Sequence, residues 1–177
     1  MKALFLDRDG VINQDLGYIS KIDDFIFNNE IFPLLEKAKN KDYLIIIVTN
    51  QSGISRGFFS EDEFNKVDRW MKKKFKEKKI IIDKTYYCPH HPTEGKKPYR
   101  LSCNCRKPKP GMFLQAKNEF NINMKDSFMI GDKESDLIAA ESSGIENNFL
   151  LCDNLPDVDR NTRFKKIKTV LDIYEIL

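Results

Sequence analysis

Short apolar runs separated by helix-like stretches set the first expectation for this chain. Ala3–Leu6, Leu44–Val48, Ser127–Ile130 and Asn148–Cys152 are apolar-rich and bounded by polar or turn residues, as strands buried on both faces are. Lys84–Tyr87 reads as a fifth strand. Between the strands, Glu30–Lys41 places Ile31, Leu34, Leu35 and Ala38 at helical spacing. Ser60-Glu-Asp-Glu63 has the form of a capping box, and it opens a long helix through Phe64, Val67, Trp70, Met71 and Phe75. Pro110 suits the first turn of a helix running through Phe113, Leu114, Ala116 and Lys117. Ser135–Ser143 predicts another, closed by Gly144, and Val170–Ile176 predicts a short terminal helix. Strands alternating with helices predict one α/β domain over residues 1–177, a central, mostly parallel sheet flanked by helices.

One stretch breaks the rhythm. Residues 88–110 are crowded with Pro, Cys, His and Lys and show little apolar periodicity. A loop of that length inside a domain is either functional or held by something other than packing.

Composition narrows the class. The 177 residues include 13 Phe, with 41% hydrophobic and 32% charged residues, which supports a packed core and argues against disorder. Thirty basic residues against 27 acidic leave a net charge of +3, too small a field to argue for a nucleic-acid partner. The run Lys72–Lys79 reads as the solvated end of a helix. No stretch approaches the ~20 apolar residues of a membrane span. The chain enters its first strand with no cleavable signal segment, so a cytoplasmic, reducing location is the default expectation. Nothing in the sequence demands more than a monomer.

Candidate chemistry gathers at strand ends. Asp7-Arg-Asp-Gly10 follows the first strand directly, where ligands bind in open α/β sheets. Taken alone, Asp7 and Asp9 are equally well read as ordinary turn formers. The second strand, however, ends in Thr49-Asn-Gln-Ser52, and the fourth ends in Gly131-Asp132-Lys133-Glu-Ser-Asp136. Lys107 precedes the helix before that fourth strand. Carboxylates for a hard cation, a hydroxyl and an ammonium are the inventory of phosphoryl transfer.

Asp7-Arg-Asp-Gly-Val11, Thr49, Lys107 and Gly131-Asp-Lys-Glu-Ser-Asp136 resemble, in order, the four motifs of the haloacid dehalogenase-like (HAD) phosphatase superfamily. The resemblance spans nearly the whole chain and implies a Rossmann-like fold; no insertion is long enough for a large cap domain. It also implies a Mg²⁺-dependent phosphoric monoester hydrolase in which Asp7 is the nucleophile and Asp9 the general acid and base. Asp7, the backbone carbonyl of Asp9, and Asp132 would hold Mg²⁺, with Asp136 supporting that shell. Thr49 and Lys107 would orient and neutralise the phosphoryl oxygens. Many members carry Thr where this chain has Val11, a position that tolerates apolar residues.

The odd loop has its own signal. Cys88-Pro-His90 and Cys103-Asn-Cys105 supply three thiols and an imidazole, the donor set of a closed, structural Zn²⁺ site. A disulfide or inert thiols are the alternatives, and His91 is the second choice of imidazole. Cys152 reads as a core residue. Within the superfamily, the loop and the run Lys107-Pro-Lys-Pro-Gly-Met112 resemble the heptose-1,7-bisphosphate 7-phosphatases of nucleotide-activated heptose biosynthesis. Histidinol-phosphate phosphatases, which share a similar loop, are the runner-up. The resemblance implies a small sugar bisphosphate as partner, lined by Asp15, Leu16, Gly17, Tyr18, Thr49, Asn50, Gln51, Ser52, Arg106, Lys107 and Lys133, with Arg106 on the remote phosphate. From another class, a zinc-stabilised nucleic-acid-binding module built on Lys72–Lys79 would leave the strand-end carboxylates unexplained.

Overall fold

A parallel sheet of six strands organises the chain, described here by a computed structural model over residues 1–152 and 164–177. The strands are β1 (Lys2–Leu6), β2 (Tyr43–Asn50), β3 (Lys84–Cys88), β4 (Phe128–Gly131), β5 (Asn147–Leu151) and β6 (Lys165–Ile167). They lie side by side in the order β3-β2-β1-β4-β5-β6. The helices are α1 (Ile31–Asn40), the single turn α2 (Gly53–Arg56), α3 (Glu61–Glu77), α4 (Gly111–Phe120) and α5 (Glu134–Ser142).

Strand alternation divides the core in two. On β1, Leu4 and Leu6 face one cluster while Ala3 and Phe5 face the other; on β2, Ile45 and Ile47 oppose Ile46 and Val48. The first cluster takes Ile31, Leu34 and Leu35 of α1 with Val67, Met71 and Phe75 of α3. The second takes Met112, Phe113 and Ala116 of α4 with Leu137 and Ala140 of α5. Burial on both faces explains why these strands read as unbroken apolar runs. The capping box is present, with Ser60 Oγ accepting from the Glu63 amide and Glu63 accepting from the Ser60 amide.

Register carries the site. Leu6 lies opposite both Ile47 and Ile130, so the chain leaves β1, β2 and β4 at one rim, where the Asp7 amide donates to the Ile130 carbonyl at 3.0 Å. The strand order turns from one direction to the other at β1, which is where doubly wound sheets open their ligand crevice.

Three elements differ from the sequence reading. β6 was not expected, because Lys165-Lys-Ile167 offers no apolar run. The one-turn α2 is shorter than any periodic signal. The terminal helix is a 3₁₀ turn over Val170–Ile173 and stops short of Ile176. The Lys72–Lys79 run does end α3 as a paired, solvated surface: Lys72 meets Asp68 at 2.8 Å and Lys74 meets Glu77 at 3.0 Å. Among the described residues, no helix is long and apolar enough to cross a membrane.

Candidate active site

Beyond the rim of β1, β2 and β4 lies a cavity of about 520 Å³. Asp7, Asp9, Asp15, Gly17, Tyr18, Thr49, Asn50, Gln51, Ser52, Arg106, Lys107 and Lys133 all line it. Of the expected substrate contacts Leu16 is absent, being 58% exposed and outside the lining, and Asp132, expected to hold Mg²⁺, borders an adjoining cavity with Gly10 and Asp15 instead. Gly53, Pro108, Ser135 and Asp136 join the lining without having been assigned there. Their signal was adjacency to the motif residues, which spacing alone does not convert into a direction.

Lys107 is the hub. Its ammonium is buried and reaches Asp7 Oδ1 at 2.7 Å, Asp136 Oδ1 at 2.8 Å and the Val48 carbonyl at 2.8 Å. Burial works against its charge, but Asp7 and Asp136 more than offset that and hold its pKa above the usual lysine range. Lys107 stays on station through a reciprocal pair: its amide donates to Asn50 Oδ1 and Asn50 Nδ2 donates to its carbonyl, both at 3.1 Å.

Asp7, Asp132 and Asp136 bring carboxylate oxygens within 4.8 Å of one another. Burial, with Asp136 nearby, pushes the Asp7 carboxyl up despite the opposing pull of Lys107. Burial and the Asp7 charge push Asp132 up to about 7. A divalent cation among these groups would relieve both. The oxygens available fit one: Asp132 Oδ1 is buried with no hydrogen-bond partner, whereas Asp136 is already engaged by Lys107 and by the Lys133 amide at 3.1 Å. Oxygen donors from few carboxylates are what Mg²⁺ takes. Gly10 makes room for this arrangement. With φ of +91°, a Cβ there would lie 2.6 Å from Asp132 Oδ2.

The Asp9 carboxylate stands apart from that cluster. It accepts from Arg8 Nε and Nη2, from Asn13 Nδ2 and from Gln51 Nε2 at 3.0–3.2 Å. Gln51 Nε2 also donates to Thr49 Oγ1 at 2.9 Å, which leaves the Thr49 hydroxyl proton free to donate into the cavity. Across the mouth, Lys133 Nζ bridges Asp15 Oδ2 at 3.1 Å and Asp132 Oδ2 at 3.2 Å. Arg106 Nη1 donates to the His90 carbonyl at 3.3 Å.

Next to the cavity, Cys88, His90, Cys103 and Cys105 converge. The sulfur separations are 3.2–3.5 Å, and His90 Nδ1 lies 3.3 Å from Cys105 Sγ and 3.7 Å from Cys88 Sγ. Cys88, Cys103 and Cys105 form no disulfide, and an S–S bond of about 2.05 Å is far shorter than these contacts. Ligands about 2.3 Å from a tetrahedral Zn²⁺ would be about 3.8 Å apart, close to this cage. His91, the second choice, faces away from it, its Nδ1 accepting from the Glu94 amide at 2.8 Å. Cys152 is half-buried after β5 and outside both core clusters.

With the geometry in view, comparison with known proteins has a sharp result. The family profile described as polynucleotide kinase 3 phosphatase matches residues 6–165. The D-glycero-β-D-manno-heptose-1,7-bisphosphate 7-phosphatase of Pasteurella multocida is 49% identical over 150 residues, 85% of this chain and 81% of that protein. The chain belongs to this HAD-like phosphatase family. A second family member, the α-anomer 7-phosphatase of Campylobacter jejuni, is 45% identical over 98% of this chain and 96% of its own. The crystal structure of D,D-heptose 1,7-bisphosphate phosphatase from B. bronchiseptica, complexed with magnesium and phosphate, superposes with a TM-score of 0.82 at 26% identity, covering 99% and 97% of the two chains.

Proposed function

We propose that this phosphatase hydrolyses the 7-phosphate of D-glycero-D-manno-heptose 1,7-bisphosphate through an aspartyl-phosphate on Asp7. The observation that carries the reading is the buried Asp7–Lys107–Asp136 contact at the rim where Thr49 and Asp132 also end their strands. Identity of 45–49% to heptose bisphosphate 7-phosphatases over most of the chain supports this substrate over histidinol phosphate.

In the first step an Asp7 oxygen forms a bond to phosphorus as the P–O bond to the sugar breaks. Asp9 gives its proton to the departing sugar oxygen. Thr49 and Lys107 hold the phosphoryl oxygens, with Lys107 offsetting their growing charge. In the second step Asp9 takes a proton from water, which attacks the aspartyl-phosphate and frees Asp7. Asp7, the Asp9 carbonyl and Asp132 would hold Mg²⁺, which would supply charge stabilisation for the transferring group. Arg106, which lines the cavity, suits the remote phosphate, because a guanidinium fork matches its geometry. Asp15, Gly17, Tyr18, Ser52 and Lys133 complete the wall around the sugar. Cys88, His90, Cys103 and Cys105 would hold Zn²⁺ in a structural role, since four protein ligands would leave no place for water.

The test is phosphate release from both anomers of the heptose bisphosphate, other sugar phosphates and histidinol phosphate, with and without Mg²⁺. The reading expects the highest kcat/KM for a heptose bisphosphate and dependence on Mg²⁺. A preference for histidinol phosphate overturns it.

A further inference from the structure

Arg8 is the largest fully buried side chain among the described residues, and the scheme above gives it no task. A guanidinium is costly to take out of water unless its donors are matched. Here Nη1 is buried without a hydrogen-bond partner, while Nε and Nη2 converge chiefly on one carboxylate. Nε and Nη2 both reach Asp9 Oδ1, at 3.2 and 3.0 Å, and Nη2 also reaches Asp9 Oδ2 at 3.0 Å. Nη2 lies 3.4 Å from Gln51 Oε1 and 3.3 Å from the Ile19 carbonyl, and the guanidinium carbon sits over the Phe64 ring at 5.4 Å. The guanidinium is therefore fixed from four directions: the β1 loop, the strand-end residue Gln51, the Ile19 backbone and helix α3.

We propose that Arg8 is a positioning residue that aims Asp9 at the departing oxygen of the substrate. The inference rests on the assignment of Asp9 as general acid. Arg8 does not touch the cavity, whereas Asp9 lines it and keeps 18% of its side chain exposed. Oδ1 of Asp9 already accepts three donors, two from Arg8 and one from Asn13. Oδ2 accepts two, one from Arg8 and one from Gln51, and as the less crowded oxygen it is the one assigned to proton exchange. Gln51 touches the same Oδ2 and also Thr49, which ties the aim of the acid to the hydroxyl that holds the phosphoryl group. A short side chain next to a glycine turn would otherwise sample several rotamers; a two-point fork selects one.

Leaving-group chemistry separates positioning from mere structural support. The phenolate of 2,4-dinitrophenyl phosphate departs without a proton, whereas a sugar alkoxide requires one. In both cases kcat/KM reports the steps through phosphoryl transfer to Asp7. Arg8→Met and Arg8→Lys are compared on the two substrates. We expect kcat/KM for the heptose bisphosphate to fall on the order of 10²-fold in Arg8→Met, that for dinitrophenyl phosphate to change by about threefold at most, and Arg8→Lys to recover part of the loss. Turnover of dinitrophenyl phosphate doubles as the folding control. Should Arg8→Met not fold, the same split is expected in Arg8→Lys, which keeps the buried charge. Equal losses on both substrates, no loss on the sugar phosphate, or failure of both variants to fold would each overturn the proposal. A wild-type enzyme inactive on the heptose bisphosphate refutes the substrate reading alone, and the split is then read on the alkyl phosphate it does hydrolyse.

Discussion

Asp7 keeps one oxygen 2.7 Å from the Lys107 ammonium, and its replacement by Asn preserves shape while removing the nucleophile. Asp7→Asn is expected to abolish turnover with the circular dichroism spectrum unchanged. Mg²⁺-dependent trapping of beryllofluoride should vanish with it; near wild-type activity in the variant would defeat the assignment. Gly10 has a different consequence. A Cβ there meets Asp132 Oδ2 at 2.6 Å and sits at φ of +91°, so Gly10→Ala strains the backbone by about 1–3 kcal/mol and displaces the carboxylate. The measurable outcome is a rise in the Mg²⁺ concentration needed for half-maximal activity, larger than any rise in KM for substrate. Asp132 was legible from the sequence because four ordered motifs point to it. Arg8 was not, because a charged residue between two aspartates looks solvated until the fold encloses it.

Among the elements, α3 shows how local chemistry fixes a boundary. Its capping box satisfies amides at both Ser60 and Glu63. Ser60→Ala is expected to cost about 1 kcal/mol, seen as a fall of about 2–4 °C in Tm, with kcat/KM unaffected because the cap lies outside the cavity lining. The same box made α3 readable in the sequence, as did the apolar runs of β1, β2, β4 and β5. β1, β2 and β4 are covered on both faces, so nearly every position in them is apolar, whereas β5 opens with two Asn and shows its run only from Phe149. β6 escaped notice for the opposite reason: Lys165 is exposed and Lys166 half-exposed, and only Ile167 enters the core. The α2 turn was invisible because four residues are too few to show a period.

Over the whole molecule, strand ends and the loop after β1 line the cavity together with Arg106, Lys107 and Pro108, which directly follow the Cys–His segment. Gly95 lies so close to α2 that a Cβ would fall 1.8 Å from the Ser55 carbonyl, and the Lys96 amide donates to that same carbonyl at 3.1 Å. The segment is thus seated on the α/β body by backbone contact more than by apolar burial. A Cys103→Ala, Cys105→Ala double variant is expected to lose zinc and most of its kcat while keeping the sheet's circular dichroism. Undiminished kcat in the zinc-free protein would show that the cage does not shape the site. The convergence of Cys88, His90, Cys103 and Cys105 was legible from their residue types in a loop poor in apolar residues; its distance from Lys107 was not, since that depends on how β2 and β3 pair.

The reciprocal amide bonds between Asn50 and Lys107 join two supports of opposite chemical temperament. On one side is a hydrogen-bonded strand, indifferent to oxidants; on the other is a clasp of three sulfurs open to peroxide and to thiophilic metals such as mercury or cadmium. Damage to the clasp reaches the ammonium that steadies the ester, although no acidic group has been altered. Inactivation by such agents should therefore also shift the affinity of the hard-cation pocket, because that ammonium is held by Asp7 and Asp136.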